Sequence, residues 1–264
     1  GYAAIIFQKQ FISTHTNPAI SWFLLFAINF YIISHGQNFL FFLVFLWSIA
    51  IEEQFYLAWA FIMKFAKKYY SILCFLMIII SLVYRYLHLN DSASLYFHTF
   101  SSLGNFGIGA LTAYISFHQK PLFNHLVKMS RNMILIIYLL LLICICFYQF
   151  LFSSAIAIVC DRSIFSFLFA LIIFEQCFAE NSFIKWGRFS IMTYLGKISY
   201  GLYCYHGLAI TFIIQLLKHF SIKDTSLLTF GTIPVSILII SISISALSYK
   251  YFEKQFLKMK EKFN

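Results

Sequence analysis

The stretch Leu46–Phe61, which reads LWSIAIEEQFYLAWAF, decides the fold predicted for this chain. It belongs to an apolar run over residues 41–63, and a run of about 20 such residues is long enough to cross a bilayer as a helix. Two adjacent carboxylates, Glu52 and Glu53, nevertheless stand in its middle. The stretch therefore predicts a membrane-spanning helix that carries unusual polar chemistry.

The composition extends this prediction to the whole chain of 264 residues. Hydrophobic residues make up 61% of the sequence and charged residues 11%, whereas soluble domains carry about 25% charged residues. The sequence thus predicts an all-α fold, a polytopic bundle of transmembrane helices whose first partner is the lipid bilayer.

Repeated apolar runs predict about eight spanning helices. Their approximate ranges are 20–35, 41–63, 71–88, 100–117, 133–152, 164–179, 198–217 and 229–251. Residues 1–12 could be the end of a preceding helix. No Gly/Ser linker or long polar stretch divides the chain, so we predict a single transmembrane domain over residues 1–264.

The charge pattern indicates a membrane anchor and not a nucleic-acid surface. The formal net charge is +10, but the cations stand in short segments between apolar runs, such as KFAKKYY and the tail KYFEKQFLKMKEKF. By the positive-inside rule the ends of the even-numbered spans, and the C-terminus with them, are cytoplasmic. The six cysteines form no CxxC pair and no Cys/His zinc spacing, so no metal site is predicted.

Ionisable groups at membrane depth are costly and mark functional sites by default. Ser48, Glu52 and Tyr56 are spaced i, i+4 and i+8 and so share one helical face, while Glu53 is turned by about 100°. Three interpretations remain open from spacing alone. The pair could hold helices together by hydrogen bonds, it could form a proton or ion pathway, or it could belong to an enzyme site.

A second polar stripe lies in the seventh span, where Ser199, Tyr203 and His206 follow i, i+4 and i+7. His206 is about 13 Å in from the predicted cytoplasmic end, and it is either a functional group or a hydrogen-bonded packing residue. Asn29 is predicted to join helices by hydrogen bonds. The glycines of SLGNFGIGALTAY predict close helix packing, and Asp161–Arg162 is predicted to be a surface pair at a helix end.

Three segments and a closing motif, in order along the chain, resemble the membrane-bound acyltransferase family 3, the bacterial O-acyltransferases that modify cell-surface glycans. FLWSIAIEEQFYLAWAF is similar to the family segment that contains S-x-x-x-E-x-x-x-Y, with Ser48, Glu52 and Tyr56 at those positions. YFHTFSSLGNFGIGALTAY resembles the family segment around G-A-L-x-A. LGKISYGLYCYHGLAI resembles its I-S-Y-x-x-Y-L-x-H helix, and LSYKYFEKQF resembles its closing E-x-P-F.

The sequence also departs from the family. Ser101 and Ser102 stand where the family usually has an arginine, and the family's presumed catalytic histidine, which lies in its first helix, has no counterpart in residues 1–20. The resemblance therefore implies a chain that lacks the family's N-terminal helices, with the expected base in the missing part.

The resemblance implies that an acyl group, acetyl in the expected case, passes from acyl-CoA to a hydroxyl of a glycan or another acceptor. Acyl-CoA is then a co-substrate, and no bound cofactor is expected. Glu52 would orient or charge-balance a base, or bind the donor, with Ser48 and Tyr56 as hydrogen-bond donors and His206 as a substitute base. The expected location is the inner (plasma) membrane. The alternatives are a proton-coupled transporter that uses buried Glu52, Glu53 and His206, or a non-catalytic membrane scaffold.

Overall fold

The structure, a computed structural model, describes residues 18–37, 41–220, 225 and 228–260, and its regular elements in these residues are all helical. The all-α class is confirmed. The α-helices are α1 Ile20–Leu24, α2 Ile28–His35, α3 Phe41–Val44, α4 Leu46–Phe65, α5 Tyr70–Leu87, α6 Ser92–Phe97, α7 Thr99–His118, α8 Lys120–Val127, α9 Arg131–Cys146, α10 Tyr148–Leu151, α11 Ala155–Phe178, α12 Ser190–Lys197, α13 Ser199–His219, α14 Ile233–Ser248 and α15 Lys254–Lys260.

Short turns of other helical types join these elements. Lys67–Tyr69 and Trp186–Arg188 are 3₁₀ turns, and Leu228–Thr232 and Tyr249–Glu253 are π-helical turns on either side of α14. The prediction for residues 1–12 lies outside the described residues.

Five helical stretches of the described chain are long and apolar enough to cross a membrane. They are Phe42–Phe65, Tyr70–Leu87, Ala155–Phe178, Ser199–His219 and Leu228–Met259, and α8 with α9, bent by 87°, makes a sixth if the pair is one span. Of the eight predicted spans, the first and the fourth do not meet this criterion, and the fifth meets it only if α8 and α9 count as one span. The first predicted span is broken into α1 and α2 at Phe26, whose φ is 51°. The fourth, α7, has a lower mean hydropathy because it contains serines, glycines and Asn105.

The sixth span was predicted at 164–179, but α11 begins nine residues earlier and runs for 24 residues. The reason is that the charged pair Asp161–Arg162, which marked a helix end in the sequence, lies inside the helix. Asp161 is buried there and finds a cation on α5. The prediction of a surface pair is therefore wrong.

The chain divides into two compact units. The larger unit comprises Ile20–Gly36 and Ser48–Gly187, and the smaller unit comprises the described parts of Gly1–Ala19, Gln37–Trp47 and Arg188–Asn264. The prediction of a single domain stays a prediction.

In the larger unit α5 and α7 pack with their backbones close together. A Cβ atom on Gly107 would lie 2.8 Å from the carbonyl oxygen of Cys74, and one on Gly104 would lie 3.1 Å from the Cβ of Ser81. Small residues let membrane helices approach in this way, so the glycine stripe does serve packing as the sequence predicted. A separate apolar cluster, formed by Met129, Ile134, Ile137, Phe174 and Ala179, holds α9 against α11.

The smaller unit is built on α13 against α14, with α3 packed on α13. A Cβ on Gly207 would lie 2.7 Å from Cδ2 of Phe45, and one on Gly201 would lie 3.2 Å from Cβ of Ser245. The two glycines thus allow α13 to pack tightly on both neighbours. This packing fixes the orientation of the side chains between them on α13.

Candidate functional site

The predicted stripe on α4 lies on a more open face than the sequence indicated. Ser48 is half-buried, Glu52 is exposed, and Tyr56 is 55% exposed. The buried positions of this helix are Ala50 and Ile51. The expectation that Glu52 is buried is therefore wrong, because α4 turns its apolar residues and not its carboxylate toward the helices it packs on.

Neither carboxylate of the pair has a hydrogen bond or an ion pair within the described part of the chain. Glu53 is half-buried, and none of the residues that the structure describes forms the interhelical hydrogen bond considered for it. With respect to these residues, both oxygens of the Glu52 carboxylate remain available as hydrogen-bond acceptors. The catalytic roles of Ser48, Glu52 and Tyr56 stay predictions.

The next residue of α4, Gln54, is the one that joins helices. Its Nε2 donates to Oδ1 of Asn29 at 3.0 Å and to the carbonyl of Phe26 at 2.5 Å, and its Oε1 accepts from the hydroxyl of Thr99 at 2.5 Å. Asn29, completely buried on α2, donates in turn to Thr99 Oγ1 and to the Phe97 carbonyl. The prediction that Asn29 joins helices is confirmed, and the network also satisfies the carbonyl that the break at Phe26 sets free.

The main buried charge of the larger unit is a cluster on α5, α7 and α11 that sequence reasoning missed. Arg85, 2% exposed, forms an ion pair at 2.5 Å with Oδ1 of Asp161. Its other donors reach the carbonyls of Val159 and Ile158 and the hydroxyl of Ser101. This set of partners lets α5 keep an arginine inside a membrane bundle.

A second arginine extends the cluster. Arg162 donates to Ser102 Oγ at 2.9 Å and to the carbonyl of Tyr96 at 3.0 Å, and its guanidinium lies 5.1 Å from the Tyr96 ring centroid. The other oxygen of Asp161 accepts from Tyr148 at 2.8 Å. Two arginines with one aspartate leave one excess positive charge here, and Ser101 and Ser102 are the residues the two arginines bind.

The loop before α7 adds two titratable groups outside the spanning helices. Asp91 caps α6 by accepting from the backbone of Ser94 and Ala93, and hydrogen bonds from Ser94 lower the pKa of Asp91. His98 caps α7 by accepting from the Phe100 N–H at 3.2 Å while its ring stacks on Tyr84. Burial lowers the pKa of His98 and the nearby His88 lowers it further, so the neutral form needed for the cap is favoured.

His206 lies in the smaller unit, half-buried on α13, with its ring 4.4 Å from that of Phe45. Its Nδ1 lies 2.5 Å from the carbonyl oxygen of Tyr203. A carbonyl only accepts, so Nδ1 carries the proton and Nε2 of the neutral ring is the lone-pair acceptor. Tyr203 is itself fixed, since its hydroxyl donates to the Phe45 carbonyl at 2.9 Å. His206 thus has the tautomer and the fixed orientation that a general base needs.

The structure therefore divides the four predicted site residues. Ser48, Glu52 and Tyr56 belong to the larger unit and His206 to the smaller one. The residue missed by sequence reasoning is Arg85. The sequence does contain a signal for it. Arg85 stands three residues before the end of the predicted span 71–88, and a charge at that depth needs a partner.

Comparison with protein families finds that residues 2–249 match the model of a family described as an acyltransferase domain. No significant match to the chain is found among curated proteins or among solved structures. The family match covers nearly the whole chain and agrees with the segments that carry the resemblance.

Proposed function

Because this chain belongs to acyltransferase family 3, we propose that it transfers an acyl group, acetyl in the simplest case, from acyl-CoA to a hydroxyl of a cell-surface glycan. The family and the apolar helices together make it a multi-pass membrane acyltransferase. The family match is the observation that supports acyl transfer. The identity of the donor, the identity of the acceptor and the roles of the residues are proposed.

The reaction joins the hydroxyl oxygen of the acceptor to the thioester carbonyl carbon of the donor. As the new C–O bond forms, a base takes the hydroxyl proton, and the C–S bond then breaks to release CoA, which takes up a proton as its thiol. Positioned hydrogen-bond donors stabilise the oxyanion between these steps. The reaction thus needs an oriented base and nearby donors.

His206 is the base that the geometry supports best. Its Nδ1–H is held by the Tyr203 carbonyl, so Nε2 is left to accept a proton. The resemblance gives Glu52 a supporting role in the reaction, and Ser48 and Tyr56 supply hydroxyl donors on the same helix. Exposed within an apolar helix, and without a partner among the described residues, Glu52 is available to a substrate.

The chain would work in the plasma membrane with its C-terminus in the cytoplasm, where acyl-CoA is made. In the numbering of the eight spans predicted from the sequence, the basic segments that follow the even-numbered ones support this orientation by the positive-inside rule. The proton-coupled transporter and the non-catalytic scaffold are less well supported, since the family is one of acyltransferases.

The test uses purified protein in lipid nanodiscs with acetyl-CoA and an isolated glycan acceptor. Acetylated product and released CoA are quantified by mass spectrometry, which avoids thiol reagents that would modify the six free cysteines. We expect Glu52→Gln to abolish acylation and His206→Gln to lower its rate by about 10²–10⁴-fold, as for loss of a general base.

Glu53→Gln is the matched control, one residue away with the same loss of charge, and it should keep wild-type activity. Membrane insertion of all variants is checked by fractionation. Full acylation by Glu52→Gln would remove Glu52 from the reaction. A proton flux that depends on substrate, with no acyl product, would show that the protein is a transporter and not an acyltransferase.

A further inference from the structure

An open groove of about 600 Å³ lies on the smaller unit where α14 continues into α15. One wall is Tyr194 on α12. The other wall runs from Ser243 through Ala246 and Leu247 and ends at Tyr249, Lys250 and Lys254. The groove therefore joins an apolar stretch of a spanning helix to a basic end.

Helical structure makes this second wall continuous. Ser243 shares a face of α14 with Ala246 and Leu247, three and four residues on, and the helical chain continues without a break to Lys250 and Lys254. The π-helical turn Tyr249–Glu253 lies within it and carries both Tyr249 and Lys250. Such turns occur frequently at functional sites because they redirect side chains that an α-helix would place elsewhere.

The carboxylate of the π turn is used for packing and not for neutralising these lysines. Ser248 Oγ donates to Oε1 of Glu253 at 3.0 Å, and the Tyr205 hydroxyl lies 3.1 Å from Ser248 Oγ. A Cβ on Gly201 would lie 3.1 Å from the same Glu253 oxygen, so the carboxylate points at α13. Within the described residues neither Lys250 nor Lys254 forms an ion pair, and both are exposed.

We infer that this groove binds the phosphate-bearing end of acyl-CoA, with the phosphates at Lys250 and Lys254 and the thioester arm directed along Ala246 toward Ser243. This inference rests on the proposed function, because it assigns the donor of that reaction to a place on the chain. Lysine ammonium groups bind phosphate as point charges, and the Tyr194 and Tyr249 rings offer faces on which adenine can stack.

The phosphate of an anionic lipid presents the same chemistry to two lysines at a membrane surface. The two sources differ in what binds: acyl-CoA arrives from solution and carries several phosphates, one of them on the 3′ position of the ribose. The experiment therefore uses nanodiscs of neutral phosphatidylcholine for the donor and a second set with phosphatidylglycerol for the lipid.

The variants are Lys250→Gln/Lys254→Gln, the charge-retaining Lys250→Arg/Lys254→Arg, and Lys258→Gln as a matched control. Lys258 is exposed on the same helix one turn beyond Lys254 and does not line the groove. The dissociation constants for acetyl-CoA and for dephospho-acetyl-CoA are measured by titration, with KM as a second readout and size-exclusion chromatography as a check of folding.

In neutral nanodiscs we expect the glutamine pair to raise the dissociation constant and the KM for acetyl-CoA about tenfold or more. Its preference for acetyl-CoA over the dephospho form should also be lost. The arginine pair and Lys258→Gln should bind like wild type. Because ion contacts are screened, the wild-type affinity should fall with added salt more steeply than that of the glutamine pair.

An unchanged dissociation constant in the glutamine pair, or an equal loss in Lys258→Gln, would overturn the groove assignment while wild-type acyl transfer still upheld the proposed function. A glutamine pair that binds acetyl-CoA normally but retains less phosphatidylglycerol would make the groove a lipid site. Wild-type protein that neither binds acetyl-CoA nor transfers its acyl group would refute the proposed function itself.

Discussion

Removing one member of the Arg85–Asp161 pair should destabilise the larger unit more than any change to a surface charge. Arg85→Met keeps a side chain of similar length but leaves the Asp161 carboxylate, 8% exposed, with Tyr148 as its remaining side-chain partner. Asp161→Leu leaves the guanidinium of Arg85 facing only neutral acceptors. Each single variant thus leaves one member of the pair buried without the other.

The magnitude follows from the burial of the pair. The two side chains are 2% and 11% exposed and meet at 2.5 Å, so little solvent screens them. Breaking a buried pair costs about 3–5 kcal/mol, and 4 kcal/mol changes the ratio of folded to unfolded protein by about three powers of ten. The double variant Arg85→Met/Asp161→Leu should cost at least about 2 kcal/mol less than the sum of the single variants, because neither member of the pair is then left buried without the other.

The assay is unfolding of the purified protein by sodium dodecyl sulfate in mixed micelles, followed by tryptophan fluorescence. Lys128→Met is the control, since Lys128 is exposed and its removal should change the free energy of unfolding by less than about 0.5 kcal/mol. Single variants that cost less than about 1 kcal/mol, or costs that simply add in the double variant, would refute the view that this pair holds α5 to α11.

Two further predictions concern packing and pH. Gly107→Ala should destabilise the protein by about 1–3 kcal/mol, because its Cβ would meet the Cys74 carbonyl at 2.8 Å, whereas Gly109→Ala meets nothing within 4 Å and should be neutral or stabilising. The same detergent titration compares the two, and an equal loss at both positions would contradict the close approach. Because the pKa of His98 is lowered on folding, stability should be complete above its ordinary value of about 6.5 and fall as the pH drops below it. The protection factor of the Phe100 amide, which is corrected for the pH dependence of intrinsic exchange, should fall over that range in wild type, and a His98→Gln variant that keeps the same pH dependence would show that another group is responsible.

The membrane character of the chain could be predicted from sequence because it depends on local composition. A run such as Tyr70–Leu87 becomes a helix in lipid whatever its neighbours are, since its backbone groups must be satisfied within the segment. The family could also be recognised from short segments of the sequence, and the family match confirms the family. Helix boundaries are predicted less well where polar residues indicate a helix end that the structure does not have, as at Asp161.

The candidate site was predicted less well, because the sequence shows which residues share a helical face but not which way that face points. Ser48, Glu52 and Tyr56 do share a face, yet the structure leaves Glu52 exposed and makes Gln54 the residue that joins helices. On α13 the spacing of Tyr203 and His206 was visible in the sequence. The tautomer of His206 was not, because it depends on a backbone carbonyl one turn away.

The sequence by itself determined that this chain is an all-helical membrane acyltransferase, because hydropathy and short motifs are local properties. Only the tertiary structure decided which polar groups are partnered. Arg85 and Asp161 are 76 residues apart, and nothing in either segment indicates the other. Lys250 and Lys254 read as part of a basic tail until the π-helical turn and Tyr194 placed them along one groove. The physical reason is that the energy of a charge depends on what surrounds it in space, and those surroundings are assembled from distant parts of the chain.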